Sequence, residues 1–122
     1  MIKLDFIYGE KEDVERILYT ISKWNFYQQY YDVSWIKLPA KLDKTKIKEY
    51  SKDEIIDSVK GEYLNNLTKI YKKVEQEILD NWQKVSEKIE NVSTETNLNF
   101  PRELEIQLTC YGMGGSYWLP KK

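Results

Sequence analysis

The chain opens on alternation. Ile2, Leu4, Phe6 and Tyr8 are interleaved with Lys3, Asp5 and Ile7, the period-2 signature of a strand with one face in a core, and Gly9 ends it. The period then lengthens. Val14, Ile17, Leu18, Ile21 and Trp24 keep to one helical face behind Glu10, Glu12 and Asp13, acids that complement a helix N-terminus, so a helix is predicted over residues 11–24. Residues 25–32 have no clean period and read as an aromatic-crowded connection. Residues 33–38 read as a second strand, stopped by Pro39. Residues 40–50, with Lys41, Lys44, Lys46 and Lys48 among few apolar positions, read as a solvated loop.

Ser51 followed by Glu54 matches a capping box and starts a helix. From Ile56 the apolar positions Val59, Tyr63, Leu67, Ile70, Val74, Ile78, Trp82, Val85, Ile89 and Val92 recur at steps of three or four. One continuous rod through this seam would be about 55 Å long, more than a domain of this size covers. Gly61 and the pair Asn65 and Asn66 are the natural breaks, which predicts two helices, residues 52–65 and 67–91. The repeat lies nearer 3.6 than 3.5, so a long left-handed coiled coil is not favoured. After the polar residues 93–99, Pro101 introduces Leu104, Ile106, Leu108 and Cys110 alternating with Glu105, Gln107, Thr109 and Tyr111, a strand over residues 104–111.

These elements predict one domain spanning residues 1–122, of two-layer α+β class. A small mixed sheet would be formed by residues 1–8, 33–38 and 104–111, with helices packed on one face and the seam from Ile56 to Val92 as the main helical contribution to the core.

Composition narrows the function classes. The chain is 41% hydrophobic and 32% charged, too rich in large apolar residues for disorder. Nineteen basic against twenty acidic residues leave a net charge of −1, so no bulk field draws it to nucleic acid or an anionic membrane. Arg16 and Arg102 are the only arginines, which argues against sequence-specific reading of DNA. No apolar run approaches the roughly 20 residues needed to span a bilayer. With one cysteine and no leader-like start, the expected setting is cytoplasmic. Cys110, on the Leu108 face of its strand, reads as an inert packed thiol.

No histidine occurs in the 122 residues, so neither a Ser or Cys hydrolase centre of the usual kind nor a mononuclear zinc site can be assembled. No cofactor is implied, and the acids sit on polar helix faces among lysines rather than as a catalytic pair. The segment Tyr111, Gly112, Met113, Gly114, Gly115, Ser116, Tyr117, Trp118 lacks the lysine and following helix of a phosphate loop. Turn chemistry makes it a hairpin turn or bulge with a short edge strand over residues 116–119; as an exposed edge it could also pair with an extended peptide. A second aromatic group, Trp24, Phe26, Tyr27, Tyr30, Tyr31 and Trp35, is too large to be wholly buried around one loop.

The run Leu108-Thr109-Cys110-Tyr111-Gly112-Met113-Gly114-Gly115-Ser116-Tyr117-Trp118-Leu119-Pro120 resembles a segment of uncharacterised prokaryotic zincin-like metallopeptidases, in which Tyr-Gly-x-Gly-Gly-Ser-Tyr precedes a strand and a His-Glu-x-x-His helix. The order of strand, helix, long helical middle and terminal strand is similar. The resemblance implies the upstream half of such a protein, with the glycine edge placed where an extended substrate would lie, and the sequence ends before any counterpart of the metal-binding helix. Two readings follow. The first is a non-catalytic protein- or peptide-interaction module using Tyr111, Gly112, Gly114, Gly115, Ser116, Tyr117 and Trp118, helped by Tyr30, Tyr31 and Trp35. The second is an N-terminal fragment or degenerate relative of a metallopeptidase. Self-association through the helical segment is a further expectation.

Overall fold

The computed structural model describes residues 2–113 and has an α+β fold. The elements in chain order are β1 (Lys3–Ile7), α1 (Glu10–Ser22), α2 (Trp24–Tyr30), 3-10 turns at Val33–Trp35 and Lys44–Glu49, α3 (Lys52–Leu64), α4 (Leu67–Thr96) and β2 (Glu103–Gln107). Of the described residues, 2–9 with 66–108 form one compact unit, and 10–65 with 109–113 form another. Among the described residues no helix is long and apolar enough to cross a membrane.

The first unit is a strand, a long helix and a strand. β1 and β2 pair in parallel, Leu4 beside Leu104 and Phe6 beside Ile106. Parallel neighbours need a crossover that returns the chain to its starting end, and α4 supplies it. A two-stranded sheet is marginal alone, so its apolar face must be covered. Ile2 and Tyr8, at the two ends of that face, fix α4 antiparallel to the strand. The Ile2 amide donates to Ser86 Oγ at 3.0 Å and Trp82 Nε1 donates to the Ile2 carbonyl at 2.7 Å. At the other end, Tyr8 donates to Glu75 Oε2 at 3.0 Å and its ring lies 5.5 Å from that of Tyr71.

In the second unit α1 packs on α3. Val14, Ile17, Trp24, Ile36, Leu42, Ile47, Ile55, Val59 and Tyr111 are buried there. The capping box forms as its spacing predicts: Ser51 Oγ accepts from the Glu54 amide at 3.2 Å and Glu54 returns to accept the Ser51 amide at 3.0 Å. The break before α4 also falls where the asparagines place it, with Asn66 in the left-handed region at φ 71°.

Several expectations are corrected. Residues 25–32 are not a connection: α2 occupies most of them, as a helix held by aromatic neighbours at i,i+4, Phe26 on Tyr30 and Tyr27 on Tyr31, rather than by a side-chain cap. Residues 33–38 do not join the sheet. Asp32 accepts from the Ser34 amide at 2.9 Å and closes a 3-10 turn, leaving one antiparallel bridge between Lys37 and Gly112. The lysine-rich stretch before Ser51 is anchored by buried Leu42 and Ile47 and contains the turn Lys44–Glu49. β2 stops at Gln107, because its partner ends at Ile7 and the next amide, that of Leu108, makes the last bond across the pair, to the Ile7 carbonyl at 3.0 Å. Beyond that the alternation has no ladder to enforce it, and Cys110 is exposed rather than packed. Finally, α4 runs to Thr96, and of its seam residues only Leu67 is buried; the other buried positions of the helix, Tyr71 and Ser86, lie off the seam.

Replacing Trp82 by Phe keeps the ring but strands the Ile2 carbonyl, and Ser86→Ala does the same to the Ile2 amide. Each is expected to cost about 1–3 kcal/mol in urea unfolding, and the double variant less than the sum because both act on one residue.

Candidate functional site

Asp13, in the first turn of α1, is fully buried. Its Oδ2 accepts from the Tyr63 hydroxyl of α3 at 2.7 Å and its Oδ1 from the Thr109 hydroxyl at 2.9 Å. A buried carboxyl needs such donors at both oxygens. Thr109 Oγ1 in turn accepts from the Tyr111 amide at 3.2 Å, which turns the chain so that the Tyr111 ring enters the core. The next residue, Gly112, exchanges two backbone bonds with Lys37: its amide donates at 2.8 Å and its carbonyl accepts at 3.1 Å. Gly112 has φ +97°, and a Cβ built there would stand 3.1 Å from Arg16 Nε and 3.4 Å from Thr20 Oγ1. Both the dihedral and the space therefore call for glycine.

The bridge at Lys37 lies two residues beyond Trp35. Trp35 sits in the Val33–Trp35 turn with 74% of its surface exposed, and the turn is fastened on both sides. Asp32 closes its start through Ser34. Lys44 Nζ donates to the carbonyls of Val33 and Ser34, both at 3.1 Å, and Ile36 is buried behind it. The bond from Ser34 holds the Asp32 carboxyl below the ordinary aspartate range, with the charge of Lys44 adding to it. Just upstream, Phe26, Tyr30 and Tyr31 are at least half exposed, and the Phe26 ring lies 4.9 Å from Tyr30 and 6.1 Å from Tyr31. The second 3-10 turn is tied to this helix by Lys48, which donates to Asn25.

The structure thus links Trp35 to the start of the glycine segment through Lys37, with exposed Tyr30 at the end of the preceding helix and exposed Tyr31 just after it. Tyr111 is buried and Gly112 is bridged; Gly114, Gly115, Ser116, Tyr117 and Trp118, with the expected edge strand over residues 116–119, lie outside the described residues. The Asp13 node was not foreseen, because an acid in a first helical turn looks like ordinary dipole compensation; its place on the Val14 and Ile17 side of the helix was the available signal. Among the described residues no three His, Cys, Asp or Glu side chains are grouped to hold a metal ion. Compared with protein-family models, curated proteins and solved structures, the chain matches none.

Asp13→Ala leaves two hydroxyl donors without their acceptor and should cost about 3 kcal/mol, with Asp13→Asn intermediate, as measured by thermal or urea unfolding. A pH dependence follows from Tyr63, whose hydroxyl is pushed above its ordinary value of 10.0 by burial first and by the Asp13 carboxylate second. The folded state holds this proton more tightly than the unfolded chain, so its contribution is complete below the unfolded value and declines as pH rises beyond it. Tyr111 shifts the same way, through burial and the nearby Cys110 and Glu62. Stability is therefore expected to fall in alkali, less steeply in Tyr63→Phe; equal slopes in the two proteins would contradict the assignment.

Proposed function

We propose that the chain is a non-catalytic module that binds a protein or extended peptide, with its contact surface made by Trp35, Tyr30 and Tyr31 and continued by the glycine segment from Gly112 through Tyr117 and Trp118. The observation that carries this reading is Trp35: a tryptophan three-quarters exposed on a turn fixed by Asp32, Lys44 and buried Ile36. An indole is the side chain most enriched at binding hot spots, and one held on a fastened turn loses little freedom when covered. Tyr30 and Tyr31 add rigid amphipathic area beside it in sequence. The free backbone groups that a glycine-rich run can offer suit an extended peptide.

The test is selection from a random peptide display library on the wild-type chain, followed by affinity measurement on variants. Trp35→Ala should weaken a selected peptide at least about tenfold with the melting temperature unchanged, and joint replacement of Tyr117 and Trp118 by Ala should abolish capture. Asp32→Ala or Lys44→Met, which loosen the turn without touching the indole, should give a smaller loss. Failure to enrich any peptide, or equal binding by Trp35→Ala, overturns the reading.

A further inference from the structure

α4 carries more apolar surface than its own unit covers. One face meets the strands through Tyr71, Trp82 and Ser86. About a quarter-turn away, Val74, Ile78, Asn81, Val85 and Val92 form a second stripe, with Lys88 in its line. Val85 and Val92 are 44% and 45% exposed, and Ile70 beside the stripe is 55% exposed. Val74, Glu77, Ile78, Asn81, Trp82 and Val85 line an open groove of about 360 Å³ at the helix middle. The stripe advances by four, three, four, three and four residues, the spacing by which one helix seats against another.

Charge names the occupant. The first two turns of α4 carry Lys69, Lys72 and Lys73 and no acid, whereas Glu87, Glu90 and Glu95 weight its last turns towards negative charge. A second α4 laid antiparallel matches basic end to acidic end; laid parallel, it sets like ends together. The flank of the stripe is more selective. Glu77 and Lys84 lie on the same edge, seven residues apart, and same-edge positions face each other across an antiparallel pair. With the two-fold axis between Asp80 and Asn81, Glu77 meets the partner's Lys84 and Lys84 the partner's Glu77. In that register Val74 packs between the partner's Val85 and Lys88, and Ile78 between the partner's Asn81 and Val85. A slip of one heptad either way opposes Glu77 to Glu77 or Lys84 to Lys84. The Asn81 side-chain amide donates to the Glu77 carbonyl at 2.9 Å, which satisfies one of its groups when the face is covered.

We infer that this face binds a second copy of the chain, α4 against α4, antiparallel about an axis between Asp80 and Asn81. The interface shares no residue with the Trp35 surface and stands whether or not that surface binds peptide. The full 122-residue chain should sediment as a dimer, and Val85→Glu should make it a monomer with its helical circular dichroism retained. Glu77→Lys and Lys84→Glu should each weaken the dimer by about tenfold or more, since each places like charges together twice. An equimolar mixture of these two variants should form a heterodimer, because Lys at 77 then faces Glu at 84 while native Glu77 faces native Lys84. The double variant E77K/K84E should recover dimerisation. A wild-type monomer at millimolar concentration overturns the proposal, and a dimer indifferent to these reversals overturns the antiparallel register.

Discussion

A carboxyl that must be buried yet fully hydrogen-bonded organises the second unit. Asp13 reaches across 50 residues of chain to Tyr63 and across 96 to Thr109, so a residue of α1 collects one hydroxyl from α3 and one from the segment that follows β2. The constraint propagates by short steps. Thr109 holds the Tyr111 amide, Tyr111 fills the core, Gly112 pairs with Lys37, and Ile36 and Trp35 follow from Lys37. An unpaired carboxyl in that interior would cost more than a typical single interaction contributes, so these segments are held as a set rather than independently. The exposed indole at the end of the series inherits its position from a buried acid that contacts no surface.

Much of this fold was legible where chemistry is local. The Ser51 and Glu54 box, the break at Asn66 and the apolar faces of β1 and the start of β2 depend on neighbours within a turn or on a period of two, and all are present. The readings that failed depended on partners elsewhere. Val33, Ile36 and Pro39 look like a strand, but Asp32 captures the Ser34 amide before a ladder can form. The alternation at 104–111 looks like eight residues of strand, but a ladder can be only as long as its partner, and β1 gives out at Ile7 beside Gln107. Of the candidate site, the exposure of Tyr30, Tyr31 and Trp35 was readable from their crowding, whereas the link from Lys37 to Gly112 was not, being a backbone pairing between segments 75 residues apart with no side-chain signature.

A helical period reports that a face is apolar and is silent on what covers it. Two strands spaced about 4.8 Å apart make a ribbon about as wide as one helix, so they can bury one face of α4 and no more. Over thirty residues the seam of α4 is broad enough to contain two stripes, one turned to the strands and one to solvent. Its average near 3.6 residues blends them, which is why a single-core reading of the seam overestimates its buried part. Ile70, Val85 and Val92 carry most of that excess away from Ser86, a fully buried residue whose small side chain lets the strand approach closely, while Leu79, 42% exposed, adds to it on the Ser86 side.

The two surfaces differ in the way their atoms are held, and that difference bears on what each can recognise. On the long helix the backbone is already satisfied, so recognition there must come from side-chain packing and charge register, both of which are self-complementary when the same helix is reversed. At Trp35 the backbone is fixed by a carboxylate, an ammonium group and a buried isoleucine, each supplied from outside the three-residue turn itself. Such a turn presents one large side chain on a backbone with little freedom left to lose, and Lys37, two residues on, pairs with Gly112. A face whose flanking charges pair when the helix is reversed suits the proposed second copy, whereas an exposed indole on a fastened turn suits the proposed partner of different form.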